Sequence, residues 1–450
     1  MRKTYKLRKG LNLSLEGAVD PGTPAVSPDH ISAVAMVPDD YPGFLPKLDV
    51  KEGDIVAQGA PLMHHKADEE VKLVAPAGGV VRAVVRGPRR KIERVVVEPV
   101  SEAPSAVRFE AGTPTDPAEI AGRIKASGLW AQMRRRPYDV IPFPGDRPRD
   151  IFITAMDTAP LAQNLDTLVA DRKEDLDAGV KALGKLTDGK IYISVATGST
   201  LPDIEEAEMA EFTPLHPAGN AGVQAANIAP VNKGEIIWTL DIVTLARIGA
   251  LYTKGIVDTE CTVAVTGPEA SSPKRVRVPE GTAVKDILAG MSVTSDHHVR
   301  IISGNVLTGI PVPEDGFLRF PYRQITLIAE GDDRHEFMGW ASMSPDKMSV
   351  SRAFLSKIGG RKFSPDARLN GGRRAMIMSG VYDDLVPMDI MPEYLIKAIL
   401  ARDIDRMEAL GIYEVAPEDF ALAEYADPSK LELQKIVREA LDYLRGEIEA

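Results

Sequence analysis

Between Pro117 and about Gly255 the chain alternates runs of helical and strand period, and no other feature narrows its fold so far. A helix is expected over AEIAGRIKASGLWAQM, a strand over IFITA, a helix near KEDLDAGVKALGKLT, then strands over KIYISVA and IIWTL. Strands separated by helices cannot close as tight hairpins. They return by crossover and build a parallel sheet covered by helices. The segment is therefore expected to be a Rossmann-like α/β domain.

The flanking segments follow different patterns. From Leu7 to Val100, short β-rich runs (ISAVAMV, LDVKEGDIV, APLM, VKLVAPAGGVVRAVV, KIERVVVEPV) alternate with turns, an all-β pattern. Pro, Ala and Ser thicken from Val100 to Ile120, which places a boundary near residue 101. From Ile256 short strands return (CTVAVTG, KRVRVPEG, VRIISG, ITLIAEG) around one short helix, AVKDILAG, in ubiquitin-like β-grasp proportions. Beyond about Glu336, PEYLIKAILARDIDRMEALG and DPSKLELQKIVREALDYLRGEIEA carry apolar residues at three- and four-residue spacing, as amphipathic helices do. At 450 residues the chain exceeds what one core supports. The expectation is an α+β multidomain protein with units at 1–100, 101–255, 256–335 and 336–450.

Composition excludes several functions. With 65 acids against 54 bases the net charge is −11, which argues against general nucleic-acid binding, because phosphate contacts need a basic surface. The short basic runs, Arg134-Arg135-Arg136 and Arg86 to Lys91, are expected to be solvated surface. A single cysteine, Cys261, rules out intrachain disulfides, four-cysteine zinc sites and iron–sulfur clusters. The N-terminus lacks an apolar stretch of signal-peptide length, so export is not expected. The most apolar segment, Ile236 to Tyr252, is interrupted by Asp241 and Arg247 and falls short of the ~20 residues a spanning helix needs.

Each motif that suggests chemistry has a plainer reading beside it. EGDIVAQGAPLMHHKADEEVKLVAPAGGVV (Glu52 to Val81) reads like the modified-lysine half of a biotinyl or lipoyl carrier, a barrel-sandwich hybrid. Counting back from Ala75-Pro76-Ala77-Gly78-Gly79 puts Asp68 at the hairpin tip and Lys66 two residues early. Lys66 also has His65 and Ala67 where a biotin signature has methionines, so an unmodified scaffold is expected. A phosphate-binding βα turn needs glycines directly after its first strand. IFITA is followed instead by Met156-Asp157-Thr158-Ala159-Pro160-Leu161. Ala196-Thr197-Gly198-Ser199-Thr200 ends the second strand and reads as turn chemistry. His335-Glu336-Phe337-Met338-Gly339 lacks the second histidine of H-E-x-x-H, and the adjacent pairs His64-His65 and His297-His298 would face opposite sides of a strand. His216-Pro217-Ala218-Gly219-Asn220 is a loop whose backbone is free to approach something closely. Tyr41-Pro42-Gly43-Phe44, and Trp130 with Arg134 and Tyr138, place aromatic planes beside hydrogen-bond donors. Such a set can stack on a quinone ring and bond its carbonyls, and it equally suits packing between domains.

RKGLNL (Arg8 to Leu13), VKEGDIV, VAPAGG, SGLWAQMRRRPYD, IFITAMDTAPLA, HPAGNAG, VRIISGNVLTG and VPMDIMP occur in one order along the chain. On these segments it resembles the NqrA family, one of the subunit families of the Na+-translocating NADH:quinone oxidoreductase, and more distantly RnfC and the flavin subunit of respiratory complex I. The resemblance implies a barrel-sandwich hybrid, a Rossmann-like domain, a β-grasp domain of the SLBB type and a C-terminal helical domain. It implies a peripheral subunit on the cytoplasmic face of the bacterial inner membrane, meeting the membrane through its partner subunits (B to F). Those partners carry FAD, FMN, riboflavin and iron centres in a six-membered complex that oxidises NADH, reduces ubiquinone and exports Na+.

The distant relatives close a cluster motif with C-x-x-x-C-P-S-K. Here Ala423-Glu424-Tyr425-Ala426-Asp427-Pro428-Ser429-Lys430 stands in its place, so the ligand positions are Ala423 and Asp427 and neither is cysteine. No cofactor or metal is expected on this chain. Ubiquinone remains possible as substrate, with Tyr41, Phe44, Trp130, Arg134 and Tyr138 as the candidate contacts. The alternative is a flavin- and NADH-binding electron-input subunit of the RnfC type.

Overall fold

A computed structural model describes residues 2–291, 298–332, 347, 348, 350 and 361–448. His297 and His335-Glu336-Phe337-Met338-Gly339 lie outside the described residues, as does the expected boundary between residues 335 and 336.

The strands Asp150–Thr154 (DIFIT), Ile191–Ala196 (IYISVA) and Ile237–Asp241 (IWTLD) are near-continuous apolar runs, as strands covered on both faces must be. They form the middle of a six-stranded sheet in the order Lys3–Tyr5, Glu208–Phe212, Ile191–Ala196, Asp150–Thr154, Ile237–Asp241, Arg134–Arg136. The first five are parallel and Arg134–Arg136 closes the edge antiparallel. Side chains alternate across the sheet. Ile151 and Ile153 pack into the core shared with the helices Lys173–Gly184 and Ile242–Thr253, while Phe152 and Ile237 meet Ala225 of the helix Ala221–Ile228 on the other face. The expected α/β domain is thus in place.

Residues 34–99 fold as two facing sheets, one of Val34–Met36, Ile92–Pro99, Gly79–Arg86 and Ile55–Val56, the other of Pro46–Leu48, Pro61–His65 and Asp68–Val74. The β-grasp unit has Glu260–Thr266 and Gln324–Ala329 parallel at its centre, flanked by Lys274–Pro279 and Val299–Ser303, with the helix Val284–Ile287. The N-terminal residues do not stay within the expected first unit. Lys3–Tyr5 extend the α/β sheet, Leu15 bridges to Phe363, and Ala25–Val26 pair with Lys274–Pro279 of the β-grasp sheet.

The C-terminal part is helical, as expected. Tyr382, Leu395, Ile396, Phe420, Val437 and Leu441 form its core, completed by Tyr138 and Val140 of the α/β domain. PEYLIKAILARDIDRMEALG is not one helix. Pro392–Leu400 ends where Arg402 takes φ 55°, and Ile404–Ala409 restarts on Asp403, whose carboxylate accepts from the Arg406 N–H at 3.1 Å.

Two sequence expectations are corrected. Arg134-Arg135-Arg136 is not solvated surface. The strand lies at a junction of domains, and Arg135 and Arg136 are buried. Arg134 donates to the Asp40 carbonyl of the first unit at 2.9 Å, Arg135 is paired with Asp146 at 2.9 Å, and Arg136 reaches Asp419 of the helical domain at 2.9 Å. An edge strand with an unpaired outer rim is exposed to aggregation, and here a second domain covers it. The second correction concerns Lys66. Lys66 and Ala67, not Asp68, form the hairpin tip, because His65 pairs with Asp68 across a two-residue turn. The count fails because the register jumps from His64↔Lys72 to His65↔Asp68, so Glu69, Glu70 and Val71 are extra residues on the returning strand.

Candidate functional site at the domain junction

The five candidate aromatic and cationic residues do not line one cavity. Tyr41 and Arg134 converge on Phe320: the Tyr41 and Phe320 rings stack at 4.9 Å and 15°, and the Arg134 guanidinium lies 5.6 Å from the Phe320 centroid. Phe44 meets His65 edge-on at 5.5 Å. Trp130 packs edge-on against Trp238 at 5.1 Å and donates its indole N–H to the Pro142 carbonyl at 2.8 Å. Tyr138, at φ 81°, faces Tyr413 of the helical domain at 6.5 Å.

Around the Tyr41 stack stands a set of charges from three domains. Asp40 accepts from Arg319 Nε at 2.7 Å and from the Phe320 N–H at 3.0 Å. Burial nevertheless holds the Asp40 carboxyl above its usual range, against the pull of Arg319. Burial, followed by the nearby Glu280 and Asp40 charges, pushes the Tyr41 phenol well above its usual value. Glu280 bonds Arg247, and its other oxygen accepts from Gln132 Nε2 at 3.1 Å. Cys261 is buried, and burial raises its thiol to about 12. Asp40, Tyr41, Cys261, Glu280 and Phe320 line a cavity of about 20 Å³, and Tyr41 and Glu280 also border one of about 10 Å³. Each has room for about one water.

Of the sequence candidates the structure brings Tyr41 and Arg134 together, beside Phe320, Asp40, Arg319 and Glu280, which sequence reasoning did not single out. A signal for the junction was present in the apolar segment from Ile236 to Tyr252. The two charges that interrupt it are its anchors: Asp241 pairs with Arg323 at 2.6 Å and Arg247 with Glu280.

At the C-terminal ends of Asp150–Thr154 and Ile237–Asp241 the strand order reverses, which is where a doubly wound sheet opens its ligand crevice. Here β-grasp residues fill it. Gln163 Nε2 donates to the carbonyls of Thr262 (2.9 Å) and Arg323 (2.8 Å), and Gln324 Nε2 donates to the Pro160 carbonyl at 3.1 Å. The glycines of HPAGNAG are likewise spent on the chain itself. A Cβ on Gly219 would lie 2.7 Å from the Thr158 nitrogen, and one on Gly222 2.4 Å from Arg136. Ser199 Oγ and the Thr200 N–H bond Asp166, at 2.9 and 2.8 Å. His216 is buried against Thr158 Oγ1 at 3.2 Å, and burial lowers it to about 4.

Ala423 is buried, and the Asp427 carboxylate accepts from the N–H groups of Ser429 (3.0 Å) and Leu431 (2.8 Å). The aspartate thus fixes the loop by backbone bonds. Among the described residues no group of three or more His, Cys, Asp or Glu is placed to hold a metal ion, and no helix is long and apolar enough to cross a membrane.

Three family models match the chain: the NqrA N-terminal barrel-sandwich hybrid domain over residues 5–100, the NqrA second alpha/beta domain over 115–257, and the NQRA C-terminal domain over 262–312. Similar curated proteins are the A subunits of Na(+)-translocating NADH-quinone reductases. That of Rhodopirellula baltica is 34% identical, covering 98% of each chain, and that of Neisseria meningitidis serogroup B is 34% identical, covering 98% of this chain and 99% of the relative. The counterpart in Serratia proteamaculans is 33% identical, also over 98% of this chain and 99% of the relative.

Proposed function

The chain belongs to the NqrA family of the Na(+)-translocating NADH-quinone reductases, and we propose that within that oxidoreductase it is a peripheral, cofactor-free platform. In this proposal the flavins and iron centres belong to the other members of the complex (B to F), and the chain sits on the cytoplasmic face of the bacterial inner membrane. The assembled enzyme couples NADH oxidation and ubiquinone reduction to Na+ export.

One observation carries the platform reading. The crevice in which a doubly wound sheet would seat a dinucleotide or flavin is filled by Gln163, Arg323 and Gln324, which use their amides and charges on each other's domains. A cofactor entering there would have to displace bonds that hold the α/β and β-grasp units together. The RnfC-type alternative needs that crevice open. We also read Lys66 as unmodified. Its side chain is exposed at the hairpin tip, and His65 and Ala67 stand on either side where a biotin signature has methionines.

Of the candidate contacts Tyr41, Phe44, Trp130, Arg134 and Tyr138, quinone contact by this chain is assigned to Tyr41 and Arg134, the two that meet at Phe320. Support comes from the Tyr41–Phe320 stack with its guanidinium, an aromatic plane beside donors. Because the cavity there holds about one water, a quinone ring enters only if that stack parts. Photo-crosslinking a quinone analogue to the intact complex is expected to label the segments containing Tyr41 or Phe320, and Tyr41→Ala is expected to remove the label. Labelling confined to another member of the complex refutes the assignment.

A further inference from the structure

We propose that one face of the helical domain rests directly on an anionic phospholipid surface. Among the described residues twelve large hydrophobic side chains are exposed, and seven of them fall between Leu369 and Tyr425, about an eighth of the chain. That concentration is not what scattered surface apolar residues give.

The helix Pro392–Leu400 shows the feature in its periodicity. Its inward positions (Leu395, Ile396, Ile399) are core, as expected. Its exposed positions, at every third residue from the N-cap, are Met391, Tyr394, Lys397 and Leu400, where a water-facing stripe would be charged. Beside it runs the irregular strap Leu369 to Gly380, exposed throughout except for the partly buried Met376. The strap is fixed by its backbone. The buried Glu393 carboxylate accepts from the Ser379 (3.2 Å) and Gly380 (2.7 Å) N–H groups, Ser429 Oγ accepts from the Ile377 N–H (3.0 Å), and the Ser429 carbonyl accepts from the Arg374 N–H (3.1 Å). Glu393 thereby ties the strap that carries Ile377 and Met378 to the helix that carries Tyr394, while the side chains of Ile377, Met378, Met391 and Tyr394 stay in solvent.

Charge selects the occupant. Residues 361–380 carry five cations, among them Lys362, Arg373 and Arg374, against one acid, a net +4 in a chain of net −11. Asp383, Asp384 and Asp389 follow, so the cationic stretch ends with the strap, which itself holds Arg373 and Arg374. Arg373 spends part of its charge on Glu432 at 2.9 Å in an exposed pair, which costs little to exchange for a phosphate. Cations interleaved with Met, Ile, Leu and Tyr on one surface fit the boundary of an anionic bilayer, where the apolar groups enter the acyl margin and the cations meet headgroup phosphates.

This inference rests on the platform reading only in placing a membrane nearby, and the isolated full-length chain tests it. Co-sedimentation with vesicles of phosphatidylcholine plus phosphatidylglycerol is expected to exceed that with phosphatidylcholine alone. At about fivefold per cation near the surface, Arg373→Glu with Arg374→Glu is expected to lower partitioning by at least about 25-fold. Ile377→Ser with Tyr394→Ser is expected to lower it too, in a part that persists at high salt. Both pairs are exposed and should leave the melting temperature unchanged. Equal binding to both vesicle types overturns the proposal, as does parent-like binding by the charge-reversed variant. Binding to polyglutamate without binding to vesicles also overturns it and assigns the face to an acidic polypeptide. None of these outcomes bears on whether the chain assembles into the reductase.

Discussion

Arg136→Ala is expected to lower the stability of the full chain by about 3–5 kcal/mol, the cost of removing one partner from a buried pair. The Arg136 side chain is 1% exposed and that of Asp419 0%, with the pair at 2.9 Å. The guanidinium also donates to the Glu414 carbonyl at 2.8 Å and pairs with Glu418 at 3.2 Å, so alanine strands several acceptors from the helical domain. The expected result is a lower urea midpoint and earlier proteolysis of the helical domain. Part of the penalty is the uncompensated Asp419 charge, so Asp419→Asn in the Arg136→Ala background should recover part of it, removing that charge while keeping an acceptor for the Ala416 N–H. A change within about 0.5 kcal/mol, the range for surface sites, would mean that Arg136 is solvated in solution.

Arg247→Ala is expected to cost about 3 kcal/mol or more by the same mechanism. Its side chain is 0% exposed, bonds Glu280 and donates to the Glu260 carbonyl at 2.9 Å, joining the helix Ile242–Thr253 to the β-grasp unit. Without it, Glu280 keeps only the Gln132 amide among the described side chains. Glu280→Gln should therefore rescue part of the loss in the Arg247→Ala background, because it removes the stranded charge. Absence of any rescue would show that lost packing, not charge, sets the cost.

The sheet and the helices were legible because periodicity reports local burial. IFITA, KIYISVA and IIWTL each became a central strand. What joins the units was legible only in part. Asp241 and Arg247 stood out as charges in an apolar run, and both proved to be anchors. Arg134-Arg135-Arg136 gave the opposite impression, because a charge run looks solvated until an acid more than 270 residues away, Asp419, is known to face it. The hairpin tip was misplaced because a fixed count assumes a regular ladder, and Glu69 to Val71 break it. The short strand Lys3–Tyr5 carried no usable periodicity, since three residues cannot show one. Tyr41 and Arg134 were found as residue types, but Phe320, which brings them together, lies 279 positions from Tyr41.

In the proposed function the chain keeps the frame of a cofactor protein and fills the cofactor's place with its own side chains. The visible absorption spectrum of the purified full-length chain tests this most directly. The spectrum is expected to be featureless beyond the aromatic band. Flavin absorbance at a level near one per chain would contradict it and require the crevice now closed by Gln163, Arg323 and Gln324 to be open in solution.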